Sequence, residues 1–323
     1  MGNKEVENKE KEINEFDQFV EPLLEQLDTI QQKLYTPAER MTQEEEVHSR
    51  QEYEAVLKKY EKYHKYEEII NDCALDTSEK SFFCHAYCSH CGKDVTMYYR
   101  GAKDNSMEQM RDVFRDNFYC PICQLTGRWR RILSKVRQVY SLGKKVYMYE
   151  YNSPAYFGAL SFVSKGDLIG SEYFGSEYKS GEYVNGVLHE DATNLSFSDE
   201  SLDIILSLDV FEHIYFYKKA FQEIYRVLKP GGKLFLTIPM EVERDITEDR
   251  AKIENGKTIF LKEPVYHGGA NHTDFGVLAY TDFGWDILEI IKSVGFSDVK
   301  FITYYSIREA YFGRVWYYLD ITK

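Results

Sequence analysis

The sequence predicts an α/β protein with a mainly parallel sheet, preceded by a cysteine-rich segment and a helical extension. Three observations lead to this prediction. From Val146 onward, short apolar runs alternate with stretches of helical periodicity, which is typical of βαβ units. Five of the six cysteines fall between residues 84 and 127. The first 70 residues are rich in Glu, Lys and Gln and lack glycine after Gly2.

Residues 1–80 are predicted to form the helical extension. Apolar residues recur there at helical spacing, namely Phe19, Leu23, Leu24, Leu27 and Ile30. A second helical stretch is expected from Gln43 to Ile70, with one apolar side formed by Tyr53, Val56, Leu57, Tyr60 and Tyr63. We expect this extension to pack on a neighbouring element or to pair two chains as a homodimer. A specific binding function is the alternative.

Residues 81–140 are predicted to form a zinc ribbon and a basic helix. Two cysteine pairs have CxxC spacing, Cys88 with Cys91 and Cys120 with Cys123. Because a two-residue gap lets both sulfurs of a pair reach one tetrahedral ion, the pairs predict a structural Zn²⁺ site. A redox pair is the alternative. A closed shell of four thiolates leaves no position for water, so this metal is expected to organise the fold.

The basic helix follows directly, in the segment GRWRRILSKVRQVY that begins at Gly127. Its apolar side is expected to contain Trp129, Ile132, Leu133 and Val136. Its positive face is expected to contain Arg128, Arg130, Arg131, Lys135 and Arg137. This face is interpreted as a solvated surface, and the alternative is a contact surface for an anionic substrate or partner.

Residues 141–323 are predicted to form the sheet domain. Five strands are expected in the segments KVYMYE, LIGSEYFG, VLHEDATNL, SLDIILSLDVFEHI and KLFLTIP, with an amphipathic helix ahead of KPGG. Acidic residues follow four of these strands: Glu150, Glu172, Asp191 and Asp209. In open α/β sheets, ligands bind outside the carboxyl ends of the strands, so these acids are expected around one crevice.

The acids predict the chemistry of the ligand. Four carboxylates would repel a phosphate-rich cofactor but suit hydroxyls, an exocyclic amine and positive charge. S-adenosylmethionine (SAM) has a ribose diol, an adenine amino group, an ammonium and a sulfonium, and no phosphate. The turn from Glu150 to Ala155 contains no glycine, although pyrophosphate-binding turns normally do. A phosphate-free cofactor tolerates a wider loop, which explains in part why this turn can lack glycine.

A family resemblance follows from these motifs. The block from HEDATNL through DVFEH and RVLKPGG to LTIP resembles the centre of class I SAM-dependent methyltransferases of the type 11 group. Further segments are similar to a bacterial subgroup with cysteine knuckles that is often found with glycan-assembly enzymes: VYMYEYNSPAYFGAL, EPVYHGG, DFGWDILEIIKSVGF and CPICQLTGRWRRI. The resemblance covers roughly Cys84 to the C-terminus. It implies a Rossmann-like methyltransferase sheet with helices on both faces, and a sugar or glycan-related acceptor.

The resemblance also implies positions for the cofactor. Glu150, Tyr151, Asn152 and Ser153 would lie beside the methionine moiety. Glu172 and Tyr173 would meet the ribose hydroxyls, and Asp191, Ala192 and Thr193 the adenine. Asp209 and Val210 would line the cleft. The family at large has glycines in the first of these motifs, where this chain has none. As alternatives, Glu172 caps a helix or faces solvent, and Asp191 is a turn residue.

Three residues are candidates on the acceptor side. His213 follows the fourth strand, where a neutral imidazole can accept a hydroxyl proton. The alternative is a histidine that hydrogen-bonds backbone at a helix start. Tyr266 and His267 lie in a loop after the fifth strand, and such loops commonly form acceptor pockets. A second metal held by His267 and His272 is a further alternative.

Composition limits the remaining possibilities. A net charge of -13 and a pI near 5.2 argue against a nucleic-acid partner. No 18-residue apolar run is present, so no membrane span is expected, and the N-terminus is too polar for a secretory signal. We therefore expect a cytoplasmic SAM-dependent methyltransferase (EC 2.1.1.-). The alternative is a non-catalytic module of the same fold that acts through its zinc ribbon and helical extension.

Overall fold

The computed structural model describes residues 20–73, 75–76, 80–101, 106–267 and 276–323. The helices of these residues are α1 (20–34), α2 (Pro37–Arg40), α3 (Arg50–Tyr60), α4 (His64–Asp72), α5 (Met107–Asn117), α6 (Gly127–Val139), α7 (Pro154–Ala159), α8 (Tyr217–Val227) and α9 (Ile287–Val294). Short 3₁₀ turns cover Glu61–Tyr63 and Phe211–His213. None of the helices in the described part of the chain has the length and apolarity that crossing a membrane requires.

The strands are short apart from six longer ones. They are β1 (Gln43–Val47), β2 (Leu75–Asp76), β3 (Lys80–Cys88), β4 (Lys93–Gly101), β5 (Phe118–Tyr119), β6 (Val146–Met148), β7 (Leu168–Glu172), β8 (Tyr183–Val184), β9 (Val187–His189), β10 (Leu202–Leu208), β11 (Leu228–Thr237), β12 (Glu248–Asp249), β13 (Ala251–Glu254), β14 (Lys257–Phe260), β15 (Tyr266–His267), β16 (Val277–Leu278), β17 (Thr281–Asp282), β18 (Asp298–Ser306) and β19 (Tyr311–Thr322). The five strands predicted from the sequence correspond to β6, β7, β9, β10 and β11.

The chain forms two compact units. The cysteine unit contains the described residues of 1–44, 56–131 and 304–316, and the sheet unit contains those of 45–55, 132–303 and 317–323. The edges of these units differ from the predicted division into residues 1–80, 81–140 and 141–323, which stays a prediction about domain organisation.

The cysteine unit is built on a four-stranded antiparallel sheet with the order β2-β3-β4-β5. The hairpin of β3 and β4 ends with Cys88 opposite Lys93, so its turn carries the first cysteine pair. Aromatic rings fill the core of this unit, with the Phe82 and Tyr99 rings stacked at 4.5 Å between centroids. Helix α5 starts at a capping box in which Ser106 and Gln109 exchange hydrogen bonds.

The second predicted helical stretch was wrong over its first seven residues. Gln43–Val47 is strand β1, next to β18 at one edge of the large sheet, and the helix begins only at Arg50. The carbonyl of Glu45 accepts a hydrogen bond from the Thr303 hydroxyl at 3.0 Å. A strand partner 258 residues away in sequence decides this conformation, and no local pattern contains that information. The apolar side is confirmed for four of its five residues, because Tyr53, Val56, Tyr60 and Tyr63 are buried, whereas Leu57 is half-buried.

The predicted positive face of α6 was wrong for two of its five residues. Arg130 is fully buried and Arg131 nearly so. Arg130 donates from Nη1 to the Glu309 carbonyl at 2.8 Å and lies 5.1 Å from the centre of the Tyr311 ring. Arg131 forms an ion pair with Glu44. Long side chains can be buried when their charged ends find partners, and helical periodicity alone does not reveal those partners.

The sheet unit carries the parallel strands in the order β11-β10-β6-β7-β9. Antiparallel strands extend both sides, β8 beside β9 and β19 beside β11, so the sheet is mixed. The chain moves outward from β6 to β7 and β9 and then returns to β10 on the other side of β6. This reversal makes the ends of β6 and β10 the topological switch point, where open α/β sheets bind ligands. Placement of helices on both faces stays a prediction.

The switch point is supported by a close-packed core. Strand β10 is buried at six of its seven positions, as its nearly continuous apolar sequence predicts. Helix α8 buries Tyr217, Ala220, Phe221, Ile224 and Val227. The Phe221 ring stacks on Phe211 at 4.3 Å, which anchors the 3₁₀ turn that follows β10.

Candidate active site

The loop after β6 is held by side chains rather than by glycines. The Leu208 N–H donates to Glu150 Oε2 at 3.1 Å, which ties this loop to the end of β10. The Ser153 hydroxyl donates to the Glu150 carbonyl at 2.9 Å and accepts from the Tyr156 N–H at 3.2 Å. Ser153 is thus the N-cap of α7, with Pro154 in the first turn. A polar loop with its own hydrogen bonds replaces the expected glycine turn.

A glycine that bears on this loop lies on the neighbouring strand. Gly170 is buried in β7, and a Cβ there would come within 2.4 Å of a Tyr156 ring carbon and 3.1 Å of a Tyr151 ring carbon. The Tyr151 and Tyr156 rings lie 4.8 Å apart. Gly170 therefore lets two rings of the loop and its helix approach the sheet. The sequence reasoning missed this residue, although a glycine within a predicted strand signals close approach.

Glu172, at the end of β7, also fixes the loop after β6. Its Oε1 accepts the Asn152 N–H at 2.9 Å, and the Tyr151 N–H donates to the Ser171 carbonyl at 3.0 Å. Glu172 is half-buried, and the adjacent Tyr173 side chain is exposed. A carboxylate accepts several donors, so the bond from Asn152 is compatible with recognition of a ribose diol.

Asp191, after β9, organises its own turn. Its Oδ1 accepts both the N–H and the hydroxyl of Thr193 at 2.8 Å, and Ala192 between them is buried. This contact matches the interpretation of Asp191 as a turn residue. The neighbouring Glu190 is buried and accepts the Ser196 N–H at 2.9 Å, and burial raises the pKa of Glu190. The predicted adenine contact of Asp191 stays a prediction.

Asp209 ends β10 with an unusual backbone conformation. Its φ of 58° is in the left-handed region, which costs about 1 kcal/mol for most residues but is tolerated by aspartate. Its N–H donates to the Thr237 carbonyl at 2.9 Å, so β11 holds the turn. The turn directs half-buried Val210 and the following 3₁₀ segment away from the strand. Such backbone conformations concentrate at functional sites.

The structure brings His213 and His267 together around Glu212. We call these three residues the Glu212–histidine cluster. His267 Nδ1 lies 3.5 Å and His213 Nε2 3.7 Å from Glu212 Oε1, and the two imidazole rings are 5.1 Å apart. His267 reaches the cluster from β15, which pairs with β16 through His267 opposite Val277. Sequence reasoning placed Glu212 after the strand but gave it no role, because its partner lies 55 residues further along the chain.

The hydrogen bonding of His213 fixes its tautomer. Its Nδ1 lies 2.9 Å from the Leu278 carbonyl oxygen. Because a carbonyl can only accept, Nδ1 carries a proton, and in the neutral imidazole the lone pair is then on Nε2, the nitrogen nearer to Glu212. His213 does hydrogen-bond backbone, as in the alternative interpretation from the sequence, but the partner is the Leu278 carbonyl in β16 and not backbone at a helix start. This bond orients the imidazole.

Charges around His267 connect the cluster to the carboxyl edge of the sheet. Interaction with the Glu212 carboxylate raises the pKa of His267, and Asp209 acts in the same direction. Burial and the Arg250 guanidinium oppose this shift. Asp209 and His267 are therefore close enough to interact electrostatically. Tyr266, next to His267 in β15, is 45% exposed.

The remaining residues of this loop region have structural roles or lie outside the described residues. Asp282 accepts two hydrogen bonds from Arg250 at 2.9 and 3.0 Å. Phe283 is fully buried, and the Trp285 indole N–H donates to the Val242 carbonyl at 2.8 Å. These contacts give Asp282, Phe283 and Trp285 structural roles. His272 lies outside the described residues, so its pairing with His267 at a metal stays a prediction.

The four predicted cysteine ligands converge in the cysteine unit. Their Sγ atoms all lie within 4.8 Å of one another, with Cys88 and Cys123 at 3.8 Å and Cys91 and Cys120 at 3.9 Å. A tetrahedron with Zn–S bonds of about 2.3 Å has S···S edges of about 3.8 Å. A disulfide requires about 2.05 Å, so these pairs are thiols. The donor set and its spacing fit a tetrahedral zinc ion.

Part of the sheet unit matches a known family model. Residues 171–236, from β7 to β11, match the family model for the "Methyltransferase domain". A 48-residue segment is 44% identical to phosphoethanolamine N-methyltransferase 2 of Caenorhabditis elegans. That segment is 15% of this chain and 11% of the relative, so the chain spans about a tenth of the length of the curated relative it matches.

Solved structures include similar chains at low identity. A SAM-dependent methyltransferase from Mesorhizobium loti is 12% identical, with 58% of this chain and 96% of that chain covered and a TM-score of 0.35. A SAM-dependent methyltransferase from Thermotoga maritima is 13% identical, with 60% and 89% covered and a TM-score of 0.33. These scores are too low to carry an argument about function. The family match to residues 171–236 and the mixed, switch-point sheet agree with a Rossmann-like methyltransferase fold for the sheet unit.

Proposed function

We propose that this chain is a SAM-dependent methyltransferase that methylates a hydroxyl of a sugar or glycan-related acceptor. The observation that carries the proposal is the set of acids at the carboxyl ends of four parallel strands, around the switch point of β6 and β10. Glu150, Glu172 and Asp209 are linked to this edge by backbone hydrogen bonds. The set suits a cationic ligand with hydroxyls and an amine and disfavours phosphate, which fits SAM.

Each part of the proposed cofactor site would bind a different part of SAM. Glu150 and the loop through Tyr151, Asn152 and Ser153 would hold the methionine moiety. Glu172 and Tyr173 would take the ribose hydroxyls. The adenine and the inner wall of the cleft would be contacted by Asp191, Ala192, Thr193, Asp209 and Val210. When bound, SAM supplies a methyl group on a sulfonium that a nucleophilic oxygen displaces.

On the acceptor side, we assign His213, Tyr266 and His267 to binding the hydroxyl and removing its proton. A neutral His267 would accept this proton, and the buried Glu212 carboxylate would stabilise the resulting imidazolium. Tyr266 would position the acceptor from the solvent side. The sugar acceptor rests on the resemblance of the sequence alone. The name of the curated relative points to an amine acceptor instead, and an assay with amines separates the two.

The four-cysteine cluster is proposed to bind a structural Zn²⁺. Its S···S distances match a closed tetrahedral shell, which offers no open position for a substrate. We further propose a cytoplasmic location, no nucleic-acid partner, and a homodimer formed through the N-terminal helices. Deleting residues 1–75 should then lower the mass measured by light scattering to that of one chain. An unchanged mass would remove the dimer proposal.

The second candidate function is a non-catalytic module of the same fold that acts through protein contacts. The glycine-free loop favours this candidate. The convergence of His213 and His267 beside the acidic edge favours the enzyme, since a module without catalysis has no need for two half-buried imidazoles there.

The test is a methyl-transfer assay with isotopically labelled SAM and a panel of sugar nucleotides, glycan fragments and simple amines. Replacing His267 by Ala should lower kcat about 10²–10⁴-fold, as expected for loss of a general base, with little change in SAM affinity. His48→Ala is the matched control, because His48 also lies 3.7 Å from a carboxylate but is exposed. SAM binding without transfer to any acceptor class would favour the non-catalytic module.

A further inference from the structure

We propose that the Glu212–histidine cluster is a binding site for a divalent transition-metal ion of the zinc type. The role of the ion in methyl transfer rests on the proposed function, whereas its binding does not. The site is distinct from the four-cysteine cluster, which belongs to the other compact unit. It shares His267 with the predicted site at His267 and His272, but its other two ligands are Glu212 and His213.

The spacing of the three side chains suits a metal better than direct hydrogen bonds. One ligand atom from each residue lies within 4.8 Å of the other two, and the two measured contacts to Glu212 Oε1 are 3.5 and 3.7 Å. Hydrogen bonds between nitrogen and oxygen are about 2.7–3.2 Å, so both contacts are too long. Around a tetrahedral ion with bonds of about 2.1 Å, neighbouring ligand atoms lie about 3.4 Å apart. Small movements would bring the three ligands to that spacing.

Glu212 gives an independent reason to expect a cation. The residue is 1% exposed, and neither carboxylate oxygen has a hydrogen-bond partner among the described residues. A buried carboxylate without hydrogen bonds is costly, because burial removes its hydration, and the two imidazoles at 3.5 and 3.7 Å are too far away to replace it by hydrogen bonds. Its Oε1 is the atom that lies nearest to the two imidazoles. A bound cation would supply the missing partner.

His213 is already oriented as a ligand. Its Nδ1–H donates to the Leu278 carbonyl at 2.9 Å, which leaves the Nε2 lone pair facing the cluster. Metal-binding histidines usually make such a hydrogen bond with their other ring nitrogen, because it fixes the ring and its tautomer. Glu212 is held as well, since its carbonyl accepts the Tyr280 N–H at 2.7 Å.

The ligand types select the ion. Imidazole nitrogens suit Zn²⁺, Fe²⁺, Ni²⁺ and Cu²⁺, whereas Mg²⁺ and Ca²⁺ prefer oxygen ligands. Two histidines and one glutamate form the protein shell of several catalytic zinc sites, which keep a fourth position for water or substrate. We therefore assign the site to a zinc-type ion with at least one open position.

The open position would take the oxygen of the acceptor. With the ion bound, His267 would be a ligand and not the general base, and the ion would take over that role. It would lower the pKa of the bound hydroxyl, whose proton passes to water. An electron pair of that oxygen then forms the new O–CH₃ bond as the C–S⁺ bond breaks. The electron pair of the broken bond returns to sulfur, which becomes the neutral thioether of S-adenosylhomocysteine. Atoms and electrons balance without an oxidant or reductant.

The test counts metal ions per chain. Wild type and variants are incubated with Zn²⁺, desalted and analysed by elemental mass spectrometry, with folding checked by circular dichroism. The wild type should hold one equivalent more than His267→Ala and one more than Glu212→Gln. His267 is 41% exposed at its side chain, so its replacement should leave the fold intact even if a change at buried Glu212 does not. The control His48→Ala should hold as many ions as the wild type.

Cobalt substitution assigns the extra ion. Co²⁺ in the four-cysteine cluster gives thiolate charge-transfer absorption, and Co²⁺ in the Glu212–histidine cluster does not. His267→Ala should therefore lose a cobalt equivalent without losing the thiolate bands. Equal metal content in wild type and His267→Ala would overturn the proposal. This holds even if His267→Ala lowers turnover, because loss of activity alone does not show a bound ion. A calorimetric titration with SAM distinguishes failure of the metal-site proposal from failure of the proposed methyltransferase function. If SAM binds but the extra ion is absent, only the metal site is contradicted. If the extra ion is present but SAM does not bind, only the methyltransferase function is contradicted.

Discussion

Replacing Gly170 by alanine tests whether this glycine in β7 lets the loop after β6 approach the sheet, although that loop itself contains no glycine. The new methyl group would lie 2.4 Å from a ring carbon of Tyr156 and 3.1 Å from one of Tyr151. Ordinary carbon–carbon contacts are about 3.5–4.0 Å, so the Tyr156 ring must retreat by about 1 Å. Tyr156 is buried on α7, which Ser153 caps, and therefore its movement disturbs the loop proposed to hold SAM.

The expected cost is that of overpacking a buried site. Such substitutions typically cost about 1–3 kcal/mol, and about 2–4 °C of Tm accompanies each kcal/mol in a domain of 150–250 residues. We expect Gly170→Ala to lower the Tm by about 2–12 °C and to weaken SAM binding. In a Tyr156→Leu background the same substitution should cost less, with a coupling energy of about 0.5–3 kcal/mol, because the clashing ring atoms are gone.

The assay is urea unfolding together with calorimetric titration of SAM. Gly166→Ala is the matched control, since its added methyl group meets nothing within 4 Å and lies four residues earlier in the chain. Substitutions at independent sites add within about 0.3–0.5 kcal/mol, so smaller differences carry no meaning. If the free energies of unfolding of the two alanine variants differ by less than about 0.5 kcal/mol and their SAM affinities are equal, Gly170 does not have the proposed role.

Three further predictions concern the cysteine unit. Cys91→Ser should abolish zinc binding at the four-cysteine cluster and lower the Tm, because a structural metal contributes folding energy directly. Addition of a chelator to the wild type should have the same effect, and a metal-free wild type with unchanged Tm would contradict this prediction. Glu67→Ala should cost about 3–5 kcal/mol in urea unfolding, because the fully buried Glu67 accepts hydrogen bonds from three groups at 2.8–2.9 Å, whereas exposed Glu68→Ala should cost little. Hydrogen bonding to Lys62 lowers the pKa of Glu39 from 4.5 to about 2, so its contribution to stability is complete above pH 4.5 and declines as the pH falls toward 2. The Tm difference between wild type and Glu39→Gln should shrink over that window, and a constant difference would contradict the assignment.

Local sequence patterns were sufficient for the five parallel strands of the sheet unit. The run from Leu202 to Leu208 is almost entirely apolar, and it is β10, buried at the centre of the parallel strands. The acids after β6, β7, β9 and β10 were likewise predictable, because strand direction places the carboxyl ends of parallel strands at one edge. The CxxC spacing also predicted four thiols whose distances fit one ion.

The features that sequence did not predict depend on partners far away in the chain. Gln43–Val47 forms a strand because the edge of the large sheet accepts it, and Arg130 is buried because the Glu309 carbonyl and the Tyr311 ring receive it. Glu212 became a site residue only when the fold brought His267 to it. Local periodicity contains no information about such contacts, because they depend on how the elements pack.

The central claim is that SAM binds at the acidic edge of the sheet, and calorimetric titration with SAM and S-adenosylhomocysteine tests it most directly. We predict binding to the wild type and a loss of at least about tenfold in Glu172→Ala, since each hydrogen bond to a carboxylate contributes about 1.5–3 kcal/mol and 1.4 kcal/mol is tenfold. Glu172→Gln keeps an oxygen for the Asn152 N–H and should still lose affinity if the charge matters to the ribose. Exposed Glu177→Ala should bind as the wild type does. No binding to the wild type, or equal binding by all the variants, would contradict the account.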